Sequence, residues 1–109
     1  MNPEYFVVLT TCPDETTAAV LARRLVEERL AACVNRVAGL RSTYCWEGKV
    51  QEDPEVLLIA KTSAGRVATL SARIQELHPY ELPEVIALPV ALGAERYLAW
   101  LGQSVAGPA

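Results

Sequence analysis

The sequence predicts a single α+β domain spanning 1–109. It has four strands in one antiparallel sheet, two helices on one face of that sheet, and a short extra helix at the C-terminus. Three observations carry this. The apolar pattern switches repeatedly between short strand-like runs and stretches of helical period. A turn signal, "EGK" at 47–49, sits between two long strand-like arms. Of the 109 residues, 51% are hydrophobic and 21% charged, a balance suited to one ordinary core.

The elements follow in order. Tyr5 to Thr11 is a short apolar run rich in β-branched and aromatic residues, and so a buried strand. "TCPDE" opens a helix, with Pro13 in the first turn and Thr11 or Asp14 as the cap. That helix runs to about Leu30, with Ala18, Leu21, Ala22, Leu25 and Val26 as its apolar stripe. Arg23 with Glu27 and Arg24 with Glu28 lie four apart on the wet side. Ala32 to Glu47 is a long strand-like region interrupted at Gly39, which suggests a bulge or bend. Its partner is clearest from Glu55 to Thr62, where both alternating sets are apolar, and Pro54 marks an interruption or an edge. Ser63 is placed to cap a second helix over 64–77, with Val67, Leu70, Ile74 and Leu77 as its stripe. His78 and Pro79 end it, because proline disfavours helical geometry in the residue before it. Val85 to Val90 is the fourth strand, and a last helix lies near Glu95 to Leu101. The tail "GQSVAGPA" is expected to fray.

The order β-α-β-β-α-β is that of the ferredoxin-like, or split βαβ, fold. Repeats, linkers and low-complexity segments are lacking. Helices cover one face of such a sheet. The third strand nonetheless carries apolar residues in both sets, and Tyr44 and Trp46, two apart, share one face of the long hairpin. A bare sheet face of that composition is sticky, and the arms are long for so small a domain. Both features predict a partner sheet, most simply from identical subunits.

Several function classes drop out. Net charge is −3 and no basic stripe exists, so nucleic acid is disfavoured. An RNA-binding sheet of the same topology needs stacking aromatics that "EVLLIAKT" lacks. The N-terminal "MNPEYFVVLTT" shows no signal peptide, and no apolar stretch approaches a membrane span, so a cytoplasmic protein is expected. Cys12, Cys33 and Cys45 are an odd count without a CxxC, read as reduced, partly buried thiols. No catalytic or nucleotide-binding motif occurs. A Cys12–His78 pair is conceivable but has no orienting third group, so no enzyme is expected.

Metal binding is the open chemistry. "LHPYELPE" at 77–84 holds the only histidine, His78, together with Tyr80, Glu81 and Glu84. An imidazole, carboxylates and thiols are a mixture that borderline ions such as Cu(II) favour. One histidine per chain makes a poor cage alone, and a symmetric oligomer would multiply it. Spacing alone reads His78 as a helix C-terminal residue serving the last carbonyls. It reads Tyr80 and Pro83 as loop architecture, and Glu84 as a solvated charge.

"LAACVN" at 30–35, "STYCWEGKV" at 42–50, "LLIAKT" at 57–62, "HPYELPEVIALPV" at 78–90 and "YLAWL" at 97–101 occur in one order across nearly the whole chain. In that combination the sequence resembles the CutA divalent-cation tolerance proteins. The resemblance implies a ferredoxin-like homotrimer whose extended hairpins pair across subunits, without catalytic activity, binding a divalent metal, copper first among them. It also implies likeness to trimeric PII signalling proteins, which carry small ligands in clefts between subunits. The alternative is therefore a sensor of a small anionic metabolite that signals to a protein partner. Carried over by position, His78 and Glu84 match the motif "HPY..PE", with Tyr80 inside it. The strand-end cysteine of some members falls at Thr10, and Cys12, two residues on, is the nearest thiol on the same strand face. The metal ligands expected are His78, Glu84 and Cys12, and the ligand cleft is expected at Tyr80, Trp46 and Lys61. Cys33 matches "AAC.N" and reads as packing.

Overall fold

The computed structural model describes residues 2–107. Its elements are β1 (Tyr5–Cys12), α1 (Glu15–Glu27), β2 (Cys33–Trp46), β3 (Lys49–Ser63), α2 (Val67–Leu77), β4 (Ile86–Pro89) and α3 (Glu95–Ser104). The strands form one antiparallel sheet in the order β2-β3-β1-β4, the ferredoxin-like arrangement expected.

Strand alternation assigns the two faces. On one, Val8, Thr10 and Cys12 stand beside Ala60, Leu58 and Val56, all buried. Leu21 and Leu25 of α1 and Leu70 and Ile74 of α2 close this core. Burying each such leucine contributes about 1.5–3 kcal/mol. On the other face, Val7, Leu9, Leu57 and Ile59 are only partly buried. There α3 covers one end: the Lys61 ammonium lies 5.8 Å from the Tyr97 ring centroid. A Cβ at Gly102 would meet the Tyr5 hydroxyl at 3.2 Å. Ile86 and Leu88 of the short edge strand and Val37, Tyr44 and Trp46 of β2 remain exposed.

Local chemistry sets the boundaries. Asp14, not Thr11, caps α1, its carboxylate accepting the Thr17 N–H at 2.7 Å, which holds the Asp14 carboxyl below its ordinary pKa. The helix stops at Glu27, short of Leu30, because Arg29 takes a left-handed φ of 59° and the Leu30 N–H turns back to Leu25. Val26, counted in the apolar stripe, is exposed. Both predicted i,i+4 pairs form, and Arg73 grips Glu28 through two nitrogens at 2.8 and 3.0 Å, tying α2 to the end of α1.

At the start of α2, Ser63 is the last residue of β3 and supplies only its carbonyl, to the Arg66 N–H. Arg66 occupies the cap position without a side-chain cap bond, because a guanidinium carries no acceptor for the helix N–H groups; it donates instead to the carbonyls of Val105 and Gly107. The C-terminal stretch is therefore not frayed through Gly107: 102–104 complete α3 and Val105 is buried. Pro108 and Ala109 lie outside the described residues.

The hairpin turn at Glu47–Gly48 has positive φ at both residues, as a tight two-residue turn requires. Pro54 pairs with Arg41 within the ladder. Between Val37↔Leu57 and Leu40↔Glu55, β2 carries one more residue than β3, with Gly39 at φ 82°. Beyond this bulge Leu40, Ser42, Tyr44 and Trp46 share a face with Glu55, on the side away from α1 and α2.

Two buried threonines differ in satisfaction. The Thr62 hydroxyl donates to the Leu30 carbonyl at 2.7 Å, whereas Thr10 Oγ1 finds no partner among the described residues. Thr62→Val is expected to cost about 1–2 kcal/mol, and Thr10→Val to be neutral or stabilising by up to about 1 kcal/mol. Urea unfolding at fixed protein concentration checks both, and equal losses would contradict the assignment.

Candidate functional site

The site is built around the chain reversal after α2. Pro79 pushes His78 out of helical geometry, to φ −75°, ψ 138°, while its N–H still closes the helix on Ile74. The imidazole is thereby turned inward and buried. Its Nδ1 accepts the Tyr80 N–H at 3.1 Å, so Nδ1 carries the lone pair. Its Nε2, 2.7 Å from the Thr11 carbonyl, must then be the protonated nitrogen that donates. The Tyr80 ring lies 4.7 Å from the imidazole, and its hydroxyl donates to Glu55 at 2.8 Å. Burial, followed by that bond to a carboxylate, raises the Tyr80 pKa and keeps the phenol a donor.

Outside this corner lies a cleft of about 540 Å³ on the open face of the sheet. Thr11 and Glu55 form its floor from the central strands. Ser42, Tyr44 and Trp46 of β2 form one wall, and Tyr80, Glu81, Leu82 and Glu84 form the other. Glu55 is only 9% exposed, whereas Trp46 is 45% exposed. The charged side chains of this lining are all carboxylates. Tyr44 donates to Asp53 beside the cleft.

The expected site residues are thus distributed unequally. Tyr80, Trp46 and Glu84 meet in the cleft, together with Glu81. His78 sits behind the cleft, joined to it through Thr11 and Tyr80. Cys12 points to the opposite face, into the helix-covered core, because alternation separates it from Thr11. Burial, with Glu55 and Asp14 adding negative charge, pushes its thiol from 9.0 up to about 11. Its side chain lies on the face away from the cleft, and the His78 Nε2 is bonded to the Thr11 carbonyl rather than to this thiol. Lys61 lies under α3, outside the cleft lining. Among the described residues, no three His, Cys, Asp or Glu side chains converge so as to hold a metal ion.

Glu55 and Tyr44 are the site residues that sequence reasoning missed. A partial signal for Glu55 was present: it heads the apolar run "EVLLIA". Its pairing with Tyr80, 25 positions away, needs the folded chain.

Comparison with known proteins gives a single answer. The family profile of the CutA1 divalent ion tolerance protein matches residues 6–104. The chain is 52% identical over 98 residues to "Divalent-cation tolerance protein CutA" of Thermus thermophilus, covering 90% of this chain and 95% of that protein. It is 50% identical over 93 residues to "Protein CutA" of Homo sapiens, covering 85% of this chain but 52% of that longer relative. The crystal structure of CutA from Xylella fastidiosa superposes with a TM-score of 0.91 at 42% identity, covering 93% and 97% of the two chains.

The thiols supply a check on this geometry. With its pKa raised, Cys12 favours the folded state while protonated. That contribution is intact below pH 9.0 and is lost as pH rises toward about 11. A thiol reagent at pH 8 is expected to modify exposed Cys45 in the native protein and to reach Cys12 only after denaturant is added. Rapid native labelling of Cys12, read by peptide mass mapping, would contradict its placement.

Proposed function

We propose that this chain, which belongs to the CutA1 family of divalent ion tolerance proteins, acts without catalysis as a homotrimer that takes up a divalent cation in the cleft between its hairpin and the loop after α2. The observation that carries this reading is the wholly acidic charged lining of the cleft, with Glu55 largely withdrawn from water on its floor and Glu81 and Glu84 on one wall. Carboxylates and hydroxyls at one place offer oxygen to a cation and repel an anion. An anionic metabolite, the alternative occupant, would meet only negative charge on this protomer.

The donor set bears on which cation. Oxygen ligands suit hard ions such as Mg²⁺, Ca²⁺ and Mn²⁺, whereas copper gains most from imidazole and thiolate. Here the imidazole of His78 is bonded within the chain and the thiol of Cys12 is protonated on the other face. One protomer therefore does not fit a closed copper site, and copper specificity would require donors from neighbouring copies.

Assembly is supported by the exposed apolar side of the sheet, where Val37, Tyr44, Trp46, Ile86 and Leu88 lie bare. The slender 44 × 27 × 23 Å shape adds to this. Covering that surface with identical chains removes it from water. Among the described residues no helix is long and apolar enough to cross a membrane. The three free thiols suit a reducing compartment such as the cytoplasm.

Calorimetric titration with Mn(II), and separately with Cu(II), tests the cleft. Glu55→Gln keeps an acceptor for Tyr80 but removes the charge, and is expected to weaken cation binding about tenfold, as is Glu84→Gln. Unchanged affinity in both variants would remove the cleft from the mechanism. Trp46→Ala, losing an aromatic group worth roughly 3–5 kcal/mol once covered, is expected to dissociate the trimer at low micromolar concentration while the sheet stays folded. Sedimentation and far-ultraviolet dichroism read the two effects separately.

A further inference from the structure

We propose that His78 is a two-sided clasp that positions the carboxylate-bearing loop of the cleft, and that it is not itself a donor to whatever the cleft takes. Both ring nitrogens are committed inside the protomer: Nδ1 to the Tyr80 N–H and protonated Nε2 to the Thr11 carbonyl. The residue is 7% exposed. Coordinating an ion would require it to surrender one of these bonds while buried, which weakens binding about fivefold to tenfold for a bond of ordinary strength.

The location explains why a histidine serves here. The β1–β4 ladder ends at Leu9↔Ile86, and Thr11 lies two residues further along β1. The imidazole donates to a strand carbonyl beyond the reach of that ladder. Its other nitrogen orders the backbone at Tyr80, whose hydroxyl then reaches Glu55 of β3. A continuous line of hydrogen bonds thus runs from β1 through His78 and Tyr80 to β3. Glu81 and Glu84 follow on the same segment, stiffened by Pro79 and Pro83. A lysine, which only donates, and a carboxylate, which only accepts when ionised, could not serve both partners.

The test uses the full chain and zinc as a diamagnetic probe. Ring ¹⁵N shifts of His78 are expected to report a protonated Nε2 and a lone-pair Nδ1, unchanged on saturation with Zn(II). Amide exchange at Tyr80 is expected to accelerate about tenfold in His78→Ala. In His78→Asn, whose side-chain oxygen falls near the Nδ1 position, it should recover to within about threefold of wild type. His78→Gln, which restores only the Nε2-side donor, should leave Tyr80 fast. A metal-bound ring nitrogen, the opposite tautomer, or wild-type exchange at Tyr80 in the alanine variant would each overturn the clasp. If the wild type takes up no Zn(II), the cation reading fails while the ring signature and the Tyr80 exchange still decide the role of His78.

Discussion

Two helices can cover only one side of a four-stranded sheet, and β3 carries large apolar side chains on both. Leu58 and Ala60 disappear beneath α1 and α2, whereas Leu57 and Ile59 face the other way, where α3 shields only the end near Tyr5 and Lys61. The uncovered remainder sets the terms for the molecule. It supplies the surface that identical chains would close over, and it is the floor on which the acidic cleft is laid. Core and site are the two alternating sets of the same two strands.

That division also separates the chemistry. Residues one position apart in β1 have opposite fates: Thr11 faces the cleft and Cys12 enters the hydrocarbon layer, where its proton is held tightly. Thiol, imidazole and carboxylates therefore do not gather into one donor set among the described residues. What lines the cleft instead is oxygen: Glu55 on its floor, Glu81 and Glu84 on the loop wall, with Thr11 and Tyr80 in the same lining. The imidazole is spent on the backbone of Thr11 and Tyr80.

Much of the fold was legible because it rests on local rules. The alternation in "EVLLIAKT", the glycine turn at 47–49, the charge pairs of α1 and the proline after His78 each act over a few residues, and each formed the expected element. The shared face of Tyr44 and Trp46 follows from the same period of two. What sequence did not disclose depends on distant partners. Arg66 was unremarkable until it met the carbonyls of Val105 and Gly107, which order a tail that composition alone suggests will fray. Glu55 is one carboxylate among many until Tyr80 reaches it. Lys61 stands in a family-like stretch, yet α3 claims it.

The bulge at Gly39 acts as a reading-frame device for the ribbon. Everything distal to it on β2 is displayed with shifted parity, so Tyr44 and Trp46 share the face of Glu55. Deleting one residue there would leave composition, charge and arm length almost untouched, yet would transpose the two sides of the outer ribbon. The aromatic wall would vanish from the crevice and reappear on its back. In this architecture, length variation at the root of the ribbon is far less tolerable than at its tip, where Glu47 and Gly48 turn the chain in open solvent.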